Sequence, residues 1–427
     1  MSVALSSEDR AFLAGDHGAA EKMAMRILVD MAKVYGATEL LDITSAHIDG
    51  CLFHGDSGLE FAQRLVNGGG RVRVRSTLNV GALDLLHADS FNGPPELADR
   101  ARRLMQAYEA MGCEPIWTCA PYQASHRPGL GEQVAWAESN AIAFVNSVLG
   151  ARSNRYGDFI DICAALTGRV PACGLHLERN RRARVVYDLS RLSENLLANP
   201  VLAPVLGYHV GADCRTTVPV LDGLPADTDE DFLKALGAAA ASSGAVALFH
   251  AVGVTPEAPT LAAALHDLPP ERVVKVELEH LRRTRDVLST ADDETPLAAI
   301  ALGSPHFSYE EFARLLPLVE RWPPAASVEF VICTNRVALA LIENSGWAAT
   351  LREVGIRVVV DTCVVVTPIL RAMDGALMTN SGKFAHYTPG NTGLAVVFGS
   401  LVECVRSAAL GRVWRDPDLW REPGGES

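Results

Sequence analysis

Strand-like apolar stretches alternate with helical patterns along most of the 427 residues, and this alternation constrains the fold more than any other feature. "ELLDITSAHIDG" reads as a short strand running into a polar loop. "GRVRVRSTLNVGALD" reads as a strand with alternating Arg and Val, then a loop, and "CEPIWTCAPYQ" as a strand, then a loop. Between them, "HGAAEKMAMRILVDMAKVYGA" and "PPELADRARRLMQAYEAMG" carry helical periodicity and stop at Gly36 and Gly112. The pattern continues through "PLAAIALGSPHFSYEEFARLL", "VEFVICTNRVALALIENSG", "IRVVVDTCVVV" and "GLAVVFGS". Strands alternating with helices predict α/β lobes with largely parallel sheets. The length asks for more than one lobe. We expect an N-terminal lobe over 1–200 and a C-terminal part of one or more lobes over 201–408. The tail over 409–427 is rich in Gly, Pro and charge and is expected to be partly disordered.

Composition narrows the function classes. A formal net charge of -13 argues against a phosphate-backbone binder, so no nucleic-acid partner is expected. The basic run "LERNRRARVV" is short and reads as a solvated turn. The opening "MSVALSSEDRAFLAGDHGAAEKMAMRIL" lacks a basic n-region and an apolar h-region, so no secretory signal is read there. The most apolar stretch, "ALGAAAASSGAVALFHAVGV", is broken by Ser and Gly and contains His250, so no membrane span is expected. These features predict a cytoplasmic protein. Its nine cysteines are then mostly reduced and do not form a disulfide framework.

In a parallel sheet, ligands gather outside the carboxyl ends of strands. The alternation puts Ser45 and His47, Thr77 and Asn79, Cys119, His306 and Cys333 just after strands. Cys51, Cys113, Cys163, Cys173, Cys214 and Cys404 sit in apolar or helical settings and read as core. Cys119 differs, lying in "WTCAPY" beside Pro121, as do Cys333 in "VICTNR" and Cys363 in "VVDTCVV". There is no CxxC, so a metal site would be assembled from distant segments. Histidine offers a rival, since a Cys–His pair makes a thiol enzyme.

"TNSGKFAHY" lacks P-loop spacing, and "NGGGRVRV" precedes a strand, so neither supports nucleotide binding. His47, Lys383 and Glu132 are the candidate catalytic side chains, with Asp56 beside Glu132 as a proton-transfer alternative. Ser45, Asn79, Ser139, Arg152, Asn154, Arg155, His176 and His306 are the candidate substrate-binding set. The two arginines and Lys383 suit carboxylate or phosphate, with surface ion pairing as the alternative. Helix capping is the alternative for Ser139 and Asn154.

Nine ordered blocks carry a resemblance: "ITSAHIDG", "GDSGLEF", "STLNVGALD", "TCAPY", "GEQVAWAESNAIAFVNSVLGARSNR", "LTGRVPACGLH", "GVTPEAP", "DTCVVVTP" and "NSGKFAHY". From Leu5 to Ser407 the chain resembles the catalytic (large) subunit of the aconitase X family. The resemblance implies an aconitase-like, multi-lobed, three-layer α/β architecture and an iron–sulfur hydro-lyase. Relatives dehydrate cis-3-hydroxy-L-proline or mevalonate 5-phosphate, working with a small swivelling domain that is fused or supplied as a separate subunit. No fused swivel domain is read in this chain, so a small swivel-domain subunit is the implied partner, and with it the serine base of aconitase-type enzymes.

The resemblance places thiolates around the cluster, and Cys119 and Cys363 match. Many relatives have a further cysteine where this chain has Ser304, and Cys333 is the thiol offered instead. Three thiolates would leave one iron open as a Lewis acid. The first reading is a cluster-dependent dehydratase of a small hydroxy acid, with cis-3-hydroxy-L-proline ahead of mevalonate 5-phosphate. A zinc or mononuclear-iron lyase and a non-catalytic paralogue remain open beside it.

Overall fold

The computed structural model describes residues 3–371 and 374–421. Backbone contacts divide the chain into two compact units, one of residues 1–83 with 93–182, the other of residues 84–92 with 183–427. The architecture is mixed α/β, as expected, and its larger sheets are parallel.

In the first unit, β1 (Leu40–Asp42) pairs antiparallel with β5 (Arg169–Pro171). The other sheet has β2 (Ser45–Ile48) at its centre, flanked in parallel by β3 (Arg75–Leu78) and β4 (Val134–Trp136). Its register aligns Thr77, His47 and Trp136 in one row across the three strands. Side chains in such a row share a face. Two strands are shorter than their patterns suggest. The Arg/Val alternation begins at Arg71, yet pairing starts only at Arg75, because the Val72 and Arg73 amides donate to the Met111 and Ala165 carbonyls instead. "CEPIWTCAPYQ" contributes one bridge, Glu114 to Thr77, and then turns at Trp117, whose φ of 42° is left-handed.

In the second unit, β6 (Val185–Asp188), β7 (Pro219–Asp222), β8 (His250–Ala251) and β9 (Arg272–Lys275) form a parallel sheet in the order β8-β7-β6-β9. A five-stranded parallel sheet follows, from β10 (Leu297–Phe307), β11 (Glu329–Thr334), β12 (Ile356–Val360), β13 (Ala376–Thr379) and β14 (Ala395–Phe398), in the order β12-β11-β10-β13-β14. Both faces of this sheet are buried, which is why its strands read as continuous apolar runs. Alternation sends Ile300, Leu302, Phe330, Ile332 and Val360 into one core cluster, with Phe312, Leu315, Ile342 and Val405 of the covering helices. Ala299, Ala301, Val331, Cys333 and Val359 enter the other, with Phe384. Helix, sheet and helix make the three layers.

The helix Leu401–Leu410 closes with Gly411 in the left-handed region, and the chain continues through Trp420, whose carbonyl accepts from Arg282. Residues 422–427 of the tail lie outside the described residues.

Candidate functional site

The first unit builds one half of the candidate residues around β2. Ser45 and His47 lie within the strand rather than after it, because β2 pairs on both sides and draws them into the ladder. His47 is fully buried, and its Nδ1 lies 2.9 Å from Thr77 Oγ1. The same oxygen lies 2.8 Å from Nδ1 of His126. Burial holds the His47 pKa well below the usual histidine range, His126 adds to this, and the Thr118 backbone opposes it. Burial and Arg75 bring His126 down to about 4, against the pull of Glu114.

Beyond the strand, Asn79 donates to Asp49, and the Asp49 and Gly50 amides donate to the Asp161 carboxylate. Burial raises Asp161 to about 6, although the Asp49 and Ile162 amides favour its ionised form.

The other predicted residues of this unit hold one another. His176 Nδ1 lies 2.6 Å from Gln133 Oε1, and its Nε2 meets the Tyr156 hydroxyl. Burial, with Arg181 and Arg152 nearby, lowers its pKa to about 3, so it is a neutral bridge. Arg152 pairs with Glu178. Arg155 is exposed. The Glu138 carboxylate caps the helix Ser139–Ser147, and Ser139, its first residue, donates to Glu138. Asn154 packs where a Cβ on Gly174 would sit, 2.2 Å from such an atom, so that glycine, at φ 53°, keeps its place. Glu132 is exposed and closes a turn by accepting from the Gly129 amide. Asp56 is exposed and pairs with Arg100. Cys119 lies in the irregular segment after Trp117, where Asn140 holds its carbonyl at 3.0 Å and the Tyr122 hydroxyl at 2.9 Å.

The second unit gathers the rest at the carboxyl ends of its five-stranded sheet. Successive strands run from β10 towards β12 on one side and from β13 to β14 on the other. The order therefore reverses between β10 and β13, the place where open α/β sheets leave a crevice. Ser304, Pro305 and His306 lie on the terminal part of β10, not at a turn beyond it, because β10 runs to Phe307. Ser381 caps the helix Gly382–Thr392 and donates to the Ser304 carbonyl across the switch point. Lys383, half-buried, stands in the first turn of that helix. A cavity of about 60 Å³ lies here, lined among others by Ser304, Pro305, Asn380, Ser381 and Lys234.

Lys234 is fully buried. Its ammonium reaches Asp231 at 2.9 Å, Glu311, and the His306 carbonyl at 3.4 Å. Burial pulls its pKa down, but the two carboxylates outweigh this and the net shift is upward.

Cys363 follows β12 in a loop held by its own carbonyl, which accepts from Val366 and Thr367. His306 Nε2 lies 3.2 Å from the Thr362 carbonyl. Before the cysteine, Asp361 has φ 65° and takes a two-pronged grip from Arg336, both contacts at 2.7 Å. Asp84 accepts from the Val360 amide, and Asn92 bonds to the Ile369 and Pro368 carbonyls, so segment 84–92 is tied to this strand end.

Thiolates are the donors an iron–sulfur cluster takes, but among the described residues no group of three or more His, Cys, Asp or Glu is placed to hold a metal ion. Cys333 and Cys363 belong to one cluster on one face of the sheet, and Cys119 and Cys363 keep 8% of their surface exposed, whereas Cys333 is fully enclosed. The six cysteines read as core are buried, and burial raises the thiol pKa of each, to about 12 at Cys214. Sequence reasoning missed His126, Asn140, Asp161, Asp361 and Lys234. Apart from the Asp beside Cys363, no local pattern marks them, since each acts on a segment far away in the chain.

The chain matches the models of the aconitase X first domain over residues 2–179, second domain over 183–286 and third domain over 297–410. It is 44% identical to the cis-3-hydroxy-L-proline dehydratase of Pseudomonas aeruginosa, across 96% of this chain and 70% of that protein. Identity to the enzyme of the same name from Hypocrea jecorina is 41%, across 96% and 69%. The phosphomevalonate dehydratase large subunit of Methanothermobacter thermautotrophicus is 36% identical, across 92% and 95%. Among solved structures, Thermococcus kodakaraensis aconitase X in its holo-form superposes with a TM-score of 0.85 at 32% identity, covering 95% of this chain and all of that one.

Fold and relatives together define a hydro-lyase. The chain belongs to the aconitase X family, as a catalytic subunit.

Proposed function

We propose that this chain is the large subunit of an iron–sulfur dehydratase that removes water from cis-3-hydroxy-L-proline. The observation that carries the substrate is the higher identity, 44% and 41%, to two enzymes of that name than to the phosphomevalonate branch at 36%. Charge supports the same order. A phosphate beside a carboxylate asks for several cationic donors. Arg152 is engaged by Glu178 and Arg336 by Asp361.

Cys119, Cys333 and Cys363 are the proposed thiolate ligands. A bound cluster supplies a Lewis-acidic iron that eases departure of the hydroxyl group. Lys383 binds the substrate carboxylate, and the helix that carries it contributes its amino-terminal dipole. His47 holds a proton at its imidazole, kept neutral by burial. The relatives named large subunits support a small partner subunit, and in this reading that partner, a swivel domain, supplies the base that takes the α-proton. The protein is a soluble cytoplasmic one in this reading; among the described residues no helix is long and apolar enough to cross a membrane.

The test is turnover of cis-3-hydroxy-L-proline and mevalonate 5-phosphate, side by side, by the chain reconstituted with a small subunit. Turnover of the hydroxyproline is expected. Turnover of the phosphorylated substrate alone would assign the chain to the other branch.

A further inference from the structure

Thr77 stands between two histidines and has one hydroxyl proton to give. Its Oγ1 meets Nδ1 of His47 and Nδ1 of His126 at 2.9 and 2.8 Å. Trp136 packs against both rings, with centroids 5.6 Å from His47 and 5.0 Å from His126, and fixes their planes. All four side chains are at least nine-tenths buried. Nε2 of His126 has no hydrogen-bonding partner among the described residues, while the Thr118 backbone bonds the His47 ring.

A neutral imidazole carries one N–H and one lone pair, and a threonine hydroxyl offers one donor and two acceptor sites. Three arrangements are then available. With both rings protonated at Nε2, two Nδ1 lone pairs face the oxygen and a single hydrogen serves only one. With both protonated at Nδ1, both contacts are made but the buried hydroxyl hydrogen is left without an acceptor there. Opposite tautomers make both contacts and use that hydrogen as well, and leaving a buried polar group unmade is costly.

We propose that Thr77 couples His47 and His126 into opposite tautomers, so that one of the two Nε2 atoms carries a hydrogen and the other a lone pair. Thr77 and His126 are thereby positioning residues for His47, and this rests on His47 belonging to the proposed site.

The experiment is long-range proton–nitrogen NMR on the full chain labelled with 15N-histidine, with His126→Gln and His47→Asn used for assignment. The two rings are expected to show opposite nitrogen patterns, to keep them in Thr77→Ser, and to change together in Thr77→Val. Matching tautomers in the two rings would overturn the proposal, as would a Thr77→Val spectrum unchanged at both. If Thr77→Val does not fold, the parent protein and Thr77→Ser still decide. The readout needs no substrate, so it stands or falls apart from the dehydratase assignment.

Discussion

Asp161 is a carboxyl group with no exposed surface, held by three backbone amides. Burial outweighs those amides and lifts it from 3.8 to about 6. As pH rises between these values, the unfolded chain has lost a proton that the folded chain keeps. Its contribution to stability is therefore present at low pH and lost as pH climbs to about 6, on the order of 3 kcal/mol in total. Asp161→Asn is expected to remove that slope. Melting temperatures of both proteins from pH 3.5 to 7 check it, and parallel profiles would contradict it.

The cysteines make a second case at this scale. Cys363→Ala and Cys119→Ala are expected to lose most of their iron. Cys333 is the discriminating position, because it is fully enclosed beside Val331 and Val359. As a ligand it loses iron when replaced by alanine, whereas unchanged iron content would remove it from the set. Residue types were readable in the sequence at Cys363 and His47, but their partners were not. His126 lies 79 positions from His47, and hydrogen bonding across such a gap leaves no periodic trace.

The alternation of strands and helices was most legible in the five-stranded sheet, because both of its faces are buried and its runs are apolar. Strand ends were less so. Val72 and Val74 look like strand residues, yet the amides of that segment are spent on neighbouring helices and loops. Helix contacts were invisible. The helices Leu202–Cys214 and Glu230–Ser243 approach so closely that a Cβ on Gly207 would lie 2.1 Å from the Leu236 carbonyl. Gly207→Ala is expected to cost about 1–3 kcal/mol by overpacking, measurable by urea unfolding. No loss of stability would mean that the helices separate easily.

The same second helix carries Lys234, which ties it to the end of β10. Lys234→Met leaves Asp231 and Glu311 without the ammonium between them, and a loss of roughly 3–5 kcal/mol is expected. A stability within 1 kcal/mol of the parent would show that the network contributes little.

At the scale of the molecule, the family was legible in nine ordered blocks, and the three matched domains follow that order. The central claim is an iron–sulfur dehydratase. The most direct measurement is iron and acid-labile sulfide per chain after anaerobic purification, with turnover of cis-3-hydroxy-L-proline by the same sample plus a small subunit, before and after Cys363→Ala. The account predicts bound iron and sulfide with turnover in the parent protein, and loss of both in the variant. Full turnover by a protein free of iron, or by Cys363→Ala, would contradict it.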